Sequence, residues 1–166
     1  ILDLRRLDFT SALRKKVHLG LQRLSARGPD AQQQWSDNNC LLAHARLSVI
    51  DLSETAHQPM QRHGKIIVYN GEIYNFVDVK LELEKLGRSF YTKSDTEVLL
   101  VGWSEWGVDL LPRLKGMFSF ALWDSNEKKL VLARDALGKK PLLYTLKNNC
   151  LYFASDLKTL EILVNC

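Results

Sequence analysis

The spacing of apolar positions changes several times along the chain, and each change marks an element. Leu13, Val17, Leu21 and Leu24 recur at helical spacing behind Thr10 and Ser11. Either of these can cap a helix, and the pattern ends near Ala26. Ile1–Leu4 reads as the tail of a strand. "RGPD" (27–30) is a turn; Gln32–Trp35 and Cys40–His44 read as strands joined by "SDNN", and Leu47–Ile50 as a further short strand. Leu52–Gln61 reads as a loop. Lys65–Asn70 is apolar on both faces, which predicts a strand covered on both sides. Asn75 and Gly87 bracket a predicted helix over Val77–Leu86, with Asn75 as its N-cap. Ser94-x-x-Glu97 has the spacing of a capping box, ahead of a helix that runs through Trp106 to Gly107.

The last third changes character. Met117–Trp123, Lys129–Ala133, Pro141–Leu146 and Cys150–Ala154 are strand candidates separated by turns such as "DSNEK" and "KNN", and Asp156–Leu163 closes the chain as a helix. Strands and helices come in blocks, which points to an α+β domain of antiparallel sheets with helices on their faces. No repeat, low-complexity stretch or linker divides the chain, so 1–166 reads as one domain.

One stretch resists this reading. In "VYNGEIYNF" (68–76), Asn70-Gly71 is a strong hairpin signal, yet a return strand would have almost no length before Asn75. Another role for Asn-Gly is therefore needed, directly ahead of the acid Glu72.

Composition narrows the classes. The chain has 166 residues, 46% apolar and 25% charged, ordinary for a globular domain with a sizeable core. The net charge of +4 comes from scattered residues. Brief runs such as Arg14-Lys15-Lys16 have no interleaved aromatics and read as solvated faces, so nucleic acid is not an expected partner. Apolar runs are too short for a membrane span, and no secretory signal is visible. Three cysteines, Cys40, Cys150 and Cys166, form no C-x-x-C pair. A reducing, cytoplasmic setting is the expectation. His18, His44, His57 and His63 lack metal-ligand spacing and read as structural or surface residues, so no metal is expected.

Taken singly, "HARLS" (44–48), "YNGEIYN" (69–75), "SDTE" (94–97) and "RDALGKKPLLY" (134–144) have plain structural explanations. Their order does not. "RGPD…HxRLSxxD…HQPM…NGEIYN…SDTE…GMFxFALWD…RDxxGxKPLxY…FAS" resembles the glutaminase domain of asparagine-synthetase-type class II amidotransferases, from about Arg27 to Lys158. The resemblance implies an N-terminal-nucleophile hydrolase fold, a four-layer αββα sandwich with two antiparallel sheets.

It also implies a chemistry. In such domains an N-terminal cysteine attacks the side-chain amide of glutamine, with its own α-amine (reference pKa roughly 7.7–8.0) as base. By resemblance, the Asn70 side chain and the Gly71 N–H form the oxyanion hole. Arg46 grips the α-carboxylate, Glu72 and Asp95 accept from the α-ammonium group, and the backbone around Val49 and Ile50 is a further contact. The family pattern opens C-G-I-x-G before an apolar strand that matches "ILDL", so the nucleophilic cysteine is expected about five residues upstream of Ile1. An initial isoleucine, where translation would place Met, agrees with that expectation.

The family joins this domain to an ATP-dependent synthetase domain. ATP and Mg²⁺ are expected there and no cofactor here, since no phosphate-binding loop lies within these residues. The expected partners are L-glutamine and that synthetase domain, with a homodimer open. Aspartate is the default acceptor. Two other functions stay open: an inactive scaffold that supports a synthetase partner, and a glutamine-binding sensor acting through Arg46 and Asp95.

Overall fold

The computed structural model describes residues 1–3 and 9–165. Leu4, at the end of the first expected strand, and Cys166 lie outside the described residues. The elements in chain order are β1 (Leu2–Asp3), α1 (Ser11–Leu24), β2 (Ala31–Ser36), β3 (Leu41–Arg46), β4 (Met60–Arg62), β5 (Lys65–Ile73), α2 (Phe76–Lys85), α3 (Asp95–Trp106), β6 (Gly116–Asp124), β7 (Lys129–Arg134), β8 (Leu143–Lys147), β9 (Cys150–Ala154) and α4 (Leu157–Val164).

Every pairing among the described strands is antiparallel. One sheet has the order β4-β5-β6-β7. The other is assembled from β1-β9-β8 and the β2-β3 hairpin. They join where Ile1 N donates to Leu41 O at 2.7 Å and Leu41 N to Ile1 O at 2.8 Å, beside a bridge between Leu2 and Cys40.

Alternation of side chains along the strands distributes the core into three apolar layers. Cys40, Leu42, Ile66, Ala121 and Trp123 pack between the two sheets. The opposite face of β5 and β6 (Ile67, Tyr69, Phe118, Phe120) packs on Val79 and Leu83 of α2 and Val98–Val101 of α3. The outer face of the other sheet carries Leu41 against Val17 of α1 and Leu163 of α4. The layers therefore run helices, sheet, sheet, helices, the αββα arrangement. β5 and β6 are apolar on both faces because both are covered.

Several expectations are corrected. Leu47–Ile50 is not a strand. Its backbone is diverted by side chains: Ser48 N–H donates to Asp30 Oδ2 at 2.7 Å and Arg46 donates to the carbonyls of Asp51 and Ser53. The Leu52–Gln61 loop contains a 3-10 turn over Glu54–Ala56, and β4 begins at Met60. The strand expected to end at Asn70 continues to Ile73, with Asn70 opposite Ser119 and Gly71 opposite Phe118. Asn70-Gly71 is thus strand, not turn.

Two caps also differ. Asn75 occupies the N-cap of α2 but makes no side-chain cap bond. Its side chain instead donates to Arg113 O and accepts from Lys115 N–H at 2.8 Å, pinning the start of α2 to the approach of β6. Ser94 does cap α3, accepting from Thr96 N–H. Its expected capping-box partner Glu97 reaches past it, to the Tyr91 and Thr92 amides and the Arg62 guanidinium at 2.9 Å.

Candidate active site

At one end of the inter-sheet layer a cleft of about 530 Å³ opens between β3, β5, the 47–51 loop and the start of α3. Arg46, Val49, Ile50, Asn70, Gly71, Glu72 and Asp95 all line it. Residues from three separate parts of the sequence are thereby brought together. A narrower, mainly apolar cavity of about 170 Å³ lies beside it, and His44, Tyr69 and Asn70 line both.

The strand geometry of β5 decides what each residue presents. Phe118, opposite Gly71, spends both backbone groups on Asp135: its N–H donates to Asp135 Oδ2 at 3.2 Å and its carbonyl accepts from Asp135 N–H at 2.8 Å. Gly71 and Phe118 are therefore a non-hydrogen-bonded pair, and Gly71 N–H points away from β6. Its neighbours at the same phase confirm the direction. Tyr69 N–H donates to Gln58 Oε1 at 2.6 Å, and Ile73 N–H to Asp95 Oδ2 at 3.1 Å. Between these two filled positions, Gly71 N–H faces the cleft.

Glycine is required here for a reason other than room for a ligand. A Cβ at Gly71 would lie 2.2 Å from Met117 O, so its absence lets β6 approach. Asn70, one residue earlier, turns its side chain toward the opposing sheet. Its Nδ2 is buried and has no hydrogen-bond partner among the described residues. A buried, unspent donor beside an outward backbone N–H is an arrangement suited to receive a developing oxyanion.

Arg46 is almost fully buried at the end of β3. It donates to the carbonyls of Asp51 and Ser53, which fixes the guanidinium and leaves its remaining donors for the cleft. The loop it anchors is held again from outside, where Lys93 N–H donates to Asp51 Oδ2 at 2.8 Å. The Val49 side chain points outward, 69% exposed, so only the backbone at that position can serve the cleft.

Asp95 opens α3 and is 5% exposed. It accepts from the Tyr69 hydroxyl at 2.7 Å. Burial pushes its carboxyl above the usual range, only partly offset by hydrogen bonds from Tyr69 and Ile73. No cation neutralises it in the described ion pairs. A positively charged ligand group in the cleft would do so. Glu72 lies on the same wall.

Sequence reasoning missed other members of the cleft. Gln58 buries its amide, accepting from Tyr69 N–H and donating to Thr96 Oγ1 at 3.2 Å. His44, read as structural or surface, reaches across from β3 to the Tyr69 carbonyl at 3.0 Å. Lys140 also lines the cleft. Only their presence in the "HQPM", "HARLS" and "GKKP" stretches could have suggested them. Among the described residues no His, Cys, Asp or Glu cluster is arranged to hold a metal, and no helix is long and apolar enough to cross a membrane.

A family model described as a glutamine amidotransferase domain matches residues 5–165. The chain is 43% identical over 141 residues to "Asparagine synthetase [glutamine-hydrolyzing] 3" of Bacillus subtilis, covering 82% of this chain and 23% of that protein. It is 40% identical over 146 residues to "Asparagine synthetase [glutamine-hydrolyzing] 1" of the same organism, covering 87% and 23%. The fold is similar to that of a B. subtilis glutamine phosphoribosylpyrophosphate amidotransferase, with a TM-score of 0.72, 23% identity, and coverage of 90% of this chain and 40% of that one. The chain thus spans about a quarter of the length of these synthetase relatives.

Proposed function

The chain belongs to the glutamine amidotransferase domain family, and from that premise we propose that it binds L-glutamine in the cleft and hydrolyses the side-chain amide to glutamate and ammonia. The observation that carries the proposal is the pairing of an unspent Asn70 Nδ2 with an outward-facing Gly71 N–H on the same cleft wall.

Each end of glutamine has a counterpart. The Arg46 guanidinium offers a planar fork to the α-carboxylate. Asp95, destabilised as an anion by burial, gains from the α-ammonium group, and Glu72 stands beside it. The amide then lies toward Asn70 and Gly71. Attack by a thiol on the amide carbon places negative charge on the carbonyl oxygen, where those two donors stabilise it. The proton taken from the thiol by the α-amine passes to the departing nitrogen, ammonia leaves, and water cleaves the resulting thioester.

The nucleophile is proposed to lie upstream of Ile1. The β1–β3 register supports this. Leu2 pairs opposite Cys40 and Ile1 opposite Leu41, so each residue further upstream advances one position along β3. A cysteine about five residues before Ile1 comes level with Arg46, at the cleft. Neither described cysteine can substitute: Cys40 and Cys150 are buried, and burial pushes the Cys40 thiol up to about 12.

We further propose that the ammonia feeds an ATP- and Mg²⁺-dependent synthetase domain outside this chain, with aspartate as the default acceptor. The names and lengths of the relatives support that coupling. The test is the intact mass and N-terminal sequence of the mature, full-length protein, with trapping of a glutamyl thioester. A leading cysteine that carries the glutamyl group is expected. Any other first residue overturns the hydrolytic reading and leaves a scaffold.

A further inference from the structure

We propose that His44 recognises the NH₂ group of the glutamine side-chain amide and so sets the preference of the site for glutamine over glutamate. This inference rests on the glutaminase reading above and assigns a role within it.

The ring is oriented by a contact that leaves no choice of tautomer. Its Nε2 lies 3.0 Å from the Tyr69 carbonyl oxygen, which can only accept, so the proton resides on Nε2. Nδ1 is therefore a bare lone pair. It is buried and has no partner among the described residues. The only other buried side-chain polar atom in that condition among them is Asn70 Nδ2.

These two atoms stand on facing strands, β3 and β5, and both residues line the same cleft. One is an acceptor, the other a donor. A primary amide carries the complementary pair: a carbonyl oxygen for Asn70 and an N–H for His44. A carboxylate carries acceptors only, so it would set an oxygen against the Nδ1 lone pair. Protonation of His44 would erase that distinction, and the site opposes it. Burial and the neighbouring Arg46 charge hold the imidazole well below its ordinary range, at about 4, so it stays an acceptor near neutrality. The other charged cleft residues are Arg27, Asp51, Glu72, Asp95 and Lys140.

A site built around a hydrogen bond to a substrate N–H rejects ligands that lack it, because its own polar group is left unpaired. The experiment compares KM for L-glutamine with the inhibition constant of L-glutamate in the intact protein, including its residues upstream of Ile1. His44→Phe should raise KM for glutamine on the order of 10- to 100-fold while leaving glutamate inhibition unchanged or tighter. His44→Asn places an amide oxygen near the Nδ1 position and should restore much of the discrimination. A purely structural histidine would move both constants together, with no rescue.

The ¹⁵N resonances of the wild-type His44 ring supply a second readout that needs no variant. They should show a protonated Nε2 and a bare Nδ1 in the ligand-free protein. A protonated Nδ1, or an Nδ1 already hydrogen-bonded by the protein's own upstream segment, overturns the proposal. So does a His44→Phe protein with an unchanged glutamine-to-glutamate ratio. Wild-type protein that neither binds nor hydrolyses glutamine would instead sink the functional reading on which the proposal stands.

Discussion

The two ends of the inter-sheet layer are built from the same strands and obey opposite rules. At the closed end, Cys40, Leu42 and Ile66 surround Trp123, and the polar atoms present are satisfied: Trp123 Nε1 donates to Asp37 at 2.8 Å, and Lys65 pairs with Asp124 at 2.8 Å. A few residues further along β3 and β5, His44 and Asn70 each bury an unspent polar atom, and Asp95 buries an unneutralised carboxylate. Unpaired buried groups cost stability, typically about 1–3 kcal/mol each. The closed end stabilises the sandwich, and the open end gives up part of that stability to hold donors and acceptors ready for a ligand.

That contrast can be broken first at its stable end. Trp123→Ala removes the largest fully buried side chain and should lower unfolding free energy by about 3–5 kcal/mol, measured by urea denaturation. A loss under 1 kcal/mol would mean that the closed end is not what holds the sheets together.

Acid probes the open end. The folded-state pKa of His44 is depressed from 6.5 to about 4, so the unfolded chain takes up a proton that the folded protein refuses. Its contribution is present above pH 6.5 and is lost as pH falls toward 4, an order of about 3 kcal/mol. Asp95 works in the opposite sense, since a raised carboxyl pKa lets the folded state gain its proton first. Urea midpoints measured across this window should fall in wild-type protein and flatten in His44→Phe. Parallel curves would refute the assignment.

Gly71→Ala sharpens the boundary between the two ends. The added Cβ meets Met117 O at 2.2 Å, so β5 and β6 must separate there, at a cost of about 1–3 kcal/mol. Amide exchange should accelerate around Gly71 and Phe118 while Ile66 and Trp123 stay protected. Uniform acceleration would mean that the ends are not independent.

Much of the layering was legible in the chain. Apolar runs on both faces of Lys65–Asn70 correctly marked a strand covered on both sides, Met117–Trp123 was legible as a strand, and the ordered motifs pointed to Arg46, Asn70, Gly71, Glu72 and Asp95 as one site. What stayed hidden depends on contacts remote in sequence. Asn70-Gly71 carries a turn signal, and only β6 laid beside it shows that the strand runs through. β4 is a three-residue strand, too short for periodicity to register. Asn75 reads as a helix cap because nothing local reveals the backbone of Arg113 and Lys115. His44 carries no metal-ligand spacing, and its meaning comes only from the Tyr69 carbonyl on the opposing sheet.

The most direct test of the account is ammonia release from L-glutamine by the intact protein and by its Asn70→Ala variant, with thermal unfolding measured alongside. The account predicts that wild-type protein releases ammonia. It predicts that Asn70→Ala loses about 3–4 kcal/mol of transition-state stabilisation, roughly 10²–10³ in kcat. Because Asn70 Nδ2 has no partner among the described residues, the unfolding temperature should hold or rise. A wild-type protein without activity, or an Asn70→Ala protein that keeps the full rate, would contradict it.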